Sequence, residues 1–359
     1  MQPDANSLQP ELSADAPSVA TPEQAPTGFV AESGGRVERM IISTLCQPIV
    51  GHIPASVHPN VISVITHLIG WLTAGLAVFS PHLSQPMRSL ALAAAGVAML
   101  ASMIGDCLDG MHARNTGQCS KLGEMMDHWL DAIVVPLVPI GICVALQMQP
   151  WGIAGVVVAA SMVYHAQLVL YHHSGKFIHP DSTTGVEAQF GMSVGYVGLA
   201  VFFYLVDPAG PWVRQGVSAI AVIGTLVQLR INGFYLSRLG QWMRPVVIYA
   251  ALCVGFSALL LLGAVDVYAF CLLILCTSFR LCGSYVLFTI VGKPFDGNDW
   301  GLWAGLAAMA AAHASAVGGD GGATALQTAL PLVVCAYAVL RNAIDFQRNY
   351  AMLTPVETT

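Results

Sequence analysis

The chain has 359 residues, of which 55% are hydrophobic and 9% charged, with a formal net charge of −6. Soluble domains carry roughly 25% charged residues, so this composition predicts a polytopic, all-α membrane protein, and the lack of a basic run argues against a nucleic-acid partner. The nine cysteines form no Cys-x-x-Cys pair and lie mostly in apolar stretches, which disfavours a zinc or disulfide framework and suits small buried hydrophobes.

Residues 1–35 are rich in Pro, Ala, Ser, Gln and Glu and read as disordered. No hydrophobic stretch precedes residue 40, so no cleavable signal peptide is expected. We divide the chain into a disordered cytoplasmic tail over 1–39, a membrane domain over 40–348 and a C-terminal cytoplasmic tail over 349–359. Within 40–57, Met40, Ile41, Ile42, Leu45, Ile49 and Ile53 alternate with polar positions. This segment either lies on the membrane as an interfacial helix or packs as an approach to the first span.

Hydrophobic runs of spanning length follow near 60–80, 86–110, 121–147, 151–172, 188–206, 212–234, 244–264, 266–290, 301–317 and 325–346. They predict about ten transmembrane helices. The least distinct are 301–317, short and Ala-rich, and the junction at 264–266, where Asp266 alone separates two runs. With a cytoplasmic start, the inside loops and span ends hold Arg36, Arg39, Arg114, Lys121, Lys176, Arg230, Arg238, Arg244, Lys293, Arg341 and Arg348, while the outside holds Arg88 and Arg214. That bias follows the positive-inside rule and predicts both termini in the cytoplasm.

Two acidic pairs interrupt this apolar pattern at the end of the second run and the start of the third: Asp106 with Asp109, and Asp127 with Asp131. A carboxylate at membrane depth costs about 2.5–3.5 kcal/mol on insertion scales, so such residues face a wet cavity and serve a function there. Spacings of three and four put each pair on one helix face. Two helix ends facing each other would offer four hard oxygen donors to one point, a set suited to a pair of Mg²⁺ or Mn²⁺ ions and to phosphate chemistry. The expected active site is thus the cytoplasmic end of the second and third spans.

The residues fit a longer pattern, Asp-x-x-Asp-Gly-x-x-Ala-Arg, eight residues, then Gly-x-x-x-Asp-x-x-x-Asp, from Asp106 through Gly110, Ala113, Arg114 and Gly123 to Asp131. This resembles the defining motif of the CDP-alcohol phosphatidyltransferase family. The resemblance implies attack of an alcohol on the β-phosphorus of a CDP-linked molecule, with release of CMP. It implies Asp106, Asp109 and Asp127 as ligands of two divalent ions (Mg²⁺ or Mn²⁺), and Asp131 as ligand, base or both. Gly110, Ala113 and Gly123 would let the nucleotide approach the backbone, and Arg114 would pair with phosphate or with an aspartate. Close helix packing accounts for the small residues equally well.

Neighbouring residues resemble the choline/ethanolamine phosphotransferase branch. Gly123-Glu124 and Asp127-His128 match its Gly-Glu and Asp-His, implying Glu124 and His128 as the proton-accepting pair. Pro59-Asn60-Val61-Ile62-Ser63 resembles its Pro-Asn entry to the first span, with Asn60 capping the helix or facing the nucleotide. Thr184-Gly185-Val186-Glu187-Ala188-Gln189 resembles an acidic-Gln element, with Glu187 near headgroup or metal. Trp129-Leu130 departs from the branch's Gly-Cys, Met111-His112 from its preference for Lys, and Asn115 from a second Arg. If a choline-like cation binds, Trp129, Tyr164, Tyr171 and Phe190 are candidate aromatic faces.

The branch resemblance implies transfer of a phospho-alcohol from CDP-choline or CDP-ethanolamine to a diacylglycerol-like lipid, in a homodimer. The mirror reaction, from CDP-diacylglycerol to inositol phosphate, glycerol phosphate or serine, uses the same motif. A divalent-cation transporter is the competing class, but such proteins place ions near the midplane, often between repeats, and no repeat is visible here. His165, His172 and His173 would make polar contacts at a span end or a metal site. Arg280, inside a span, should pair with a phosphate or with an acid across the bundle. Pro245 and Pro331 would mark a span start and a kink.

Overall fold

A computed structural model describes residues 36–174, 178, 185–206, 210–318 and 321–354. Of the tails expected over 1–39 and 349–359, residues 1–35 and 355–359 lie outside these residues, as do Lys176 and Thr184, whereas 36–39 and 349–353 are helical. Every regular element among the described residues is helical.

The chain enters through α1 (Arg36–Ile41), a π-helical turn (Ile42–Cys46) and α2 (Gln47–Val50). Ile41, Cys46 and Val50 are buried against Met103 and Leu108. Met40 and Ile49 stay exposed. The segment therefore packs on the bundle and keeps an apolar side outward.

Ten helices of 18 residues or more follow: α3 (Pro59–Phe79), α4 (Gln85–Thr116), α5 (Lys121–Ala145), α6 (Pro150–Ser174), α7 (Gly185–Leu205), α8 (Pro211–Leu239), α9 (Met243–Leu261), α10 (Val267–Ile290), α11 (Trp300–Val317) and α12 (Gly321–Leu353). Among the described residues, eight segments are long and apolar enough to cross a membrane. The difference from ten has two sources. Trp212–Leu261 is one continuous apolar segment that holds both α8 and α9, folded at a 3-10 turn, Gly240–Trp242. The Ala-rich α11 is not among the eight. The ambiguous junction at Asp266 is a helix start: its carboxylate accepts from the backbone N–H groups of Tyr268 and Ala269 at 2.8 and 2.9 Å, satisfying two orphan donors.

α3, which lines the site, is apolar outward and small or polar inward, as close helix packing in lipid favours. On α3, Ser63, Thr66, His67, Gly70, Thr73, Ala74 and Ala77 are buried. Ile65, Leu68 and Leu72 on the opposite side are exposed. α3 packs against both α4 and α5, α4 also against α7, and α5 also against α6 and α10. All nine cysteines are free and seven are buried. Pro331 lies inside α12, which runs on unbroken, and Pro245 lies in the first turn of α9.

Candidate active site

The site is set by a tight helical hairpin. Gly117, at φ 68°, closes α4 in the left-handed region that a Cβ disfavours. The backbone N–H of Gln118 returns to the carbonyl of Ala113 at 2.9 Å. Ser120 then caps α5, its Oγ accepting from the N–H of Gly123 at 3.0 Å. Measured from the helix ends Thr116 and Lys121, Asp106 and Asp131 each stand ten residues away. At 1.5 Å per residue that is about 15 Å from the turn. The two acidic pairs therefore meet at one depth.

Oxygens of Asp106, Asp109 and Asp127 lie within 4.8 Å of one another. A second group, His67, Asp106 and Asp131, satisfies the same limit and shares Asp106 with the first. No other such group of His, Cys, Asp or Glu occurs among the described residues. This donor chemistry fits hard divalent cations. Carboxylates so close repel one another unless cations or protons lie between them.

α3 holds the aspartates in place. The Ser63 hydroxyl donates to Asp109 Oδ2 at 2.5 Å. His67 Nδ1 lies 2.7 Å from the Ser63 carbonyl, and its Nε2 lies 3.3 Å from Asp131 Oδ1. From α7, the Gln189 side chain hydrogen-bonds Asp106. Reading the sequence missed His67 altogether: it lies 64 residues from Asp131, outside any motif. The acidic-Gln element does reach the cluster, but through Gln189; Glu187 is half-buried in the first turn of α7.

Asn60 does not cap α3. His58 is the N-cap, its Nδ1 accepting from the N–H of Asn60 at 3.2 Å, because Pro59 occupies the first helical position. The Asn60 side chain instead lies against α5. A Cβ on Gly123 would stand 3.0 Å from Asn60 Oδ1 and 3.2 Å from Ser120 Oγ, so Gly123 serves the close approach of α3 to α5. Arg114 is exposed and folds back over Gly110, its Nη1 3.3 Å from where a Cβ there would sit. Ala113 is half-buried on the same turn. His112 is 1% exposed, with its Nε2 2.9 Å from the Val57 carbonyl. It ties α4 to the entry of α3.

Glu124 and His128 lie one turn apart on α5, and Tyr171 of α6 covers both. Its hydroxyl donates to Glu124 Oε1 at 3.4 Å, and its ring stands edge-on to His128 with centroids 5.3 Å apart. His172 also meets His128 edge-on at 5.8 Å. Of the four candidate aromatic faces, Tyr171 alone has described contacts with this pair's side chains. Trp129 stacks on Phe279 at 5.0 Å and 2°, and fills the space over Gly283. Tyr164 is buried with its hydroxyl donating to the His128 carbonyl at 2.7 Å. Phe190 packs against the cluster around Ile41 and Met103. Trp129, Tyr164 and Phe190 are packing residues because each meets a helix neighbour first. The three histidines of α6 also make separate contacts: His165 stacks on Tyr249, and His173 pairs through Nε2 with the Tyr285 hydroxyl at 2.6 Å.

Residues 56–227 match the family model for CDP-alcohol phosphatidyltransferase. Cholinephosphotransferase 1 from Gallus gallus is 27% identical over 209 residues, covering 55% of this chain and 61% of that protein. Cholinephosphotransferase 1 from Danio rerio is 34% identical over 99 residues, covering 27% and 25% respectively. An uncharacterized CDP-alcohol phosphatidyltransferase class-I family protein 3 from Dictyostelium discoideum is 33% identical over 88 residues, covering 24% and 22%. These matches thus span between 22% and 61% of the relatives' own length. The matched region holds the whole aspartate cluster and all of α3 to α7, and over it the chain is similar to the CDP-alcohol phosphatidyltransferase family and to cholinephosphotransferases.

Proposed function

We propose that the protein transfers a phospho-alcohol from a CDP-alcohol, of the CDP-choline or CDP-ethanolamine type, to the hydroxyl of a diacylglycerol-like lipid. The hydroxyl oxygen attacks the β-phosphorus, the pyrophosphate bond breaks, CMP leaves and a phosphodiester forms. The single observation that carries this reading is the meeting of all four motif carboxylates at one depth, in two donor groups that share Asp106. Asp106, Asp109 and Asp127 would hold one divalent ion, and Asp131 with Asp106 would contribute to a second. When bound, the two ions supply neutralisation of phosphate charge and of the charge gathering on the leaving CMP.

The residues divide the remaining work. Ser63 fixes the rotamer of Asp109, and Gln189 that of Asp106. Asn60, Gly110, Ala113, Arg114 and Gly123 border the nucleotide, with Arg114 positioned at the turn where phosphate charge can be paired. Asp131 is already engaged by His67, which favours His128, backed by Glu124, as acceptor of the hydroxyl proton. An imidazole beside a carboxylate is a suitable base near neutral pH. The positive-inside bias puts the site and both termini on the cytoplasmic side, and the protein works as a homodimer.

The test is a purified-protein assay with Mg²⁺ or Mn²⁺. CDP-choline, CDP-ethanolamine and CDP-diacylglycerol are supplied in turn with matched acceptors, and CMP and lipid product are followed. CMP release with diacylglycerol and either of the first two nucleotides is expected. Release from CDP-diacylglycerol alone would replace this reading with phosphatidyl transfer to a soluble alcohol.

A further inference from the structure

The aspartate cluster contains a residue that the motif does not. We propose that His67 is a nitrogen ligand of one of the two divalent ions, so that the centre is a mixed nitrogen–oxygen site. This inference rests on the metal-dependent reading above and extends it to a residue on α3.

The geometry fixes one hydrogen on the ring. His67 is 3% exposed and its Nδ1 sits 2.7 Å from the Ser63 carbonyl. A carbonyl only accepts, so Nδ1 carries a hydrogen. Nε2 faces Asp131 Oδ1 at 3.3 Å. Without metal a proton on Nε2 joins the two; a divalent ion would take that proton's place, with Nε2 giving its lone pair to the ion. Donors about 2.1 Å from one ion, at roughly 90–105° to each other, stand about 3.0–3.3 Å apart. His67 Nε2 and Asp131 Oδ1 have that separation, and a carboxylate oxygen of Asp106 lies within 4.8 Å of both. A remote ring N–H donated to a backbone carbonyl is also the usual support of a metal-bound imidazole, because it fixes the tautomer and the ring plane.

The two donor groups are then unequal. Asp106, Asp109 and Asp127 form an all-oxygen set, which suits Mg²⁺. His67, Asp106 and Asp131 include one imidazole, which favours Mn²⁺ or another transition ion over Mg²⁺. Asp106 belongs to both sets. His67 therefore helps determine which metal the enzyme prefers.

Pulsed electron paramagnetic resonance on the purified full chain loaded with Mn²⁺ tests this. A ¹⁴N coupling from a directly bound imidazole is expected. It should convert to a ¹⁵N pattern on ¹⁵N-histidine labelling, persist in His128→Ala and vanish in His67→Gln. In Mn²⁺ titrations, His67→Gln should weaken binding about tenfold while moving Mg²⁺ affinity less. Bound Mn²⁺ without a histidine coupling, a coupling retained in His67→Gln, or one lost in His128→Ala would overturn the proposal. The wild-type and His128→Ala spectra decide the matter even if His67→Gln does not fold. Failure to bind Mn²⁺ at all would instead overturn the metal-dependent reading itself.

Discussion

Two buried polar clusters sit inside this bundle, and they solve opposite problems. At the far end of the chain, Arg280 lies between two acids, its Nε 2.6 Å from Asp299 Oδ2 and its Nη1 2.9 Å from Asp345 Oδ2. It also donates to Ser284 and to Asn342 Oδ1. Asp299 uses its second oxygen to cap α11 and to accept from the Tyr337 hydroxyl at 2.7 Å. Arg341 adds a second cation 3.5 Å from Asp345. Positive and negative charges balance there, and Arg280, Asp299, Ser284, Asn342 and Asp345 are all hydrogen-bonded. At the aspartate cluster, four carboxylates converge on one imidazole and two neutral donors, Ser63 and Gln189. The first arrangement is complete within the protein and fixes α10, α11 and α12 to one another. The second carries surplus negative charge, which added cations or protons must offset. Surplus charge at membrane depth is costly, and its retention is what marks a working site.

The largest effect should come from breaking the unbalanced cluster. Asp109→Asn should abolish CMP release while leaving the thermal midpoint without metal unchanged or higher, because a repelling charge is removed. Near-normal turnover in the purified variant would refute the role given to Asp109. Next, His128→Ala should cut the transfer rate by roughly 10²–10⁴ with metal binding intact. A fall of less than about tenfold would shift the proton-accepting role to Asp131.

Breaking the balanced cluster should do the reverse. Arg280→Gln leaves Asp299 and Asp345 without their main cation, and removing one partner of a buried ion pair costs about 3–5 kcal/mol. Its thermal midpoint should drop with and without metal, and the metal-induced rise should survive. A variant as stable as the wild type would show that the network is not what holds α10 to α12. The smallest effect is expected from Arg341→Ala. This side chain is 43% exposed, so the loss should stay under about 1 kcal/mol, read from the same melting curves.

The four aspartates were legible in the sequence because helical spacing is local: residues three and four apart share a face whatever surrounds them. The hairpin was legible for the same reason, since two pairs near a short turn come to one depth. Asp266 looked like a weak break in an apolar run and is a helix cap. Arg280 could be read as needing an acid, but Asp299, Asn342 and Asp345 lie 19 to 65 residues away, and only tertiary packing selects them. His67 escaped notice for a similar reason, because a single histidine in an apolar span carries no spacing signal. Trp129 could be read from its type as a cation face or as a packing residue, and its stack on Phe279 over Gly283 makes it the second. The matter of Asn60 was decided by one neighbour: Pro59 takes the first helical position, so the cap falls to His58.

The most direct measurement is the number of Mn²⁺ ions bound per chain at equilibrium, in the wild type and in an Asp109→Asn/Asp127→Asn double variant, with Arg280→Gln as the reference for a disturbed fold. We expect two ions in the wild type and in Arg280→Gln, and fewer in the double variant. A wild type that binds none, or a double variant that binds as many as the wild type, would contradict the account.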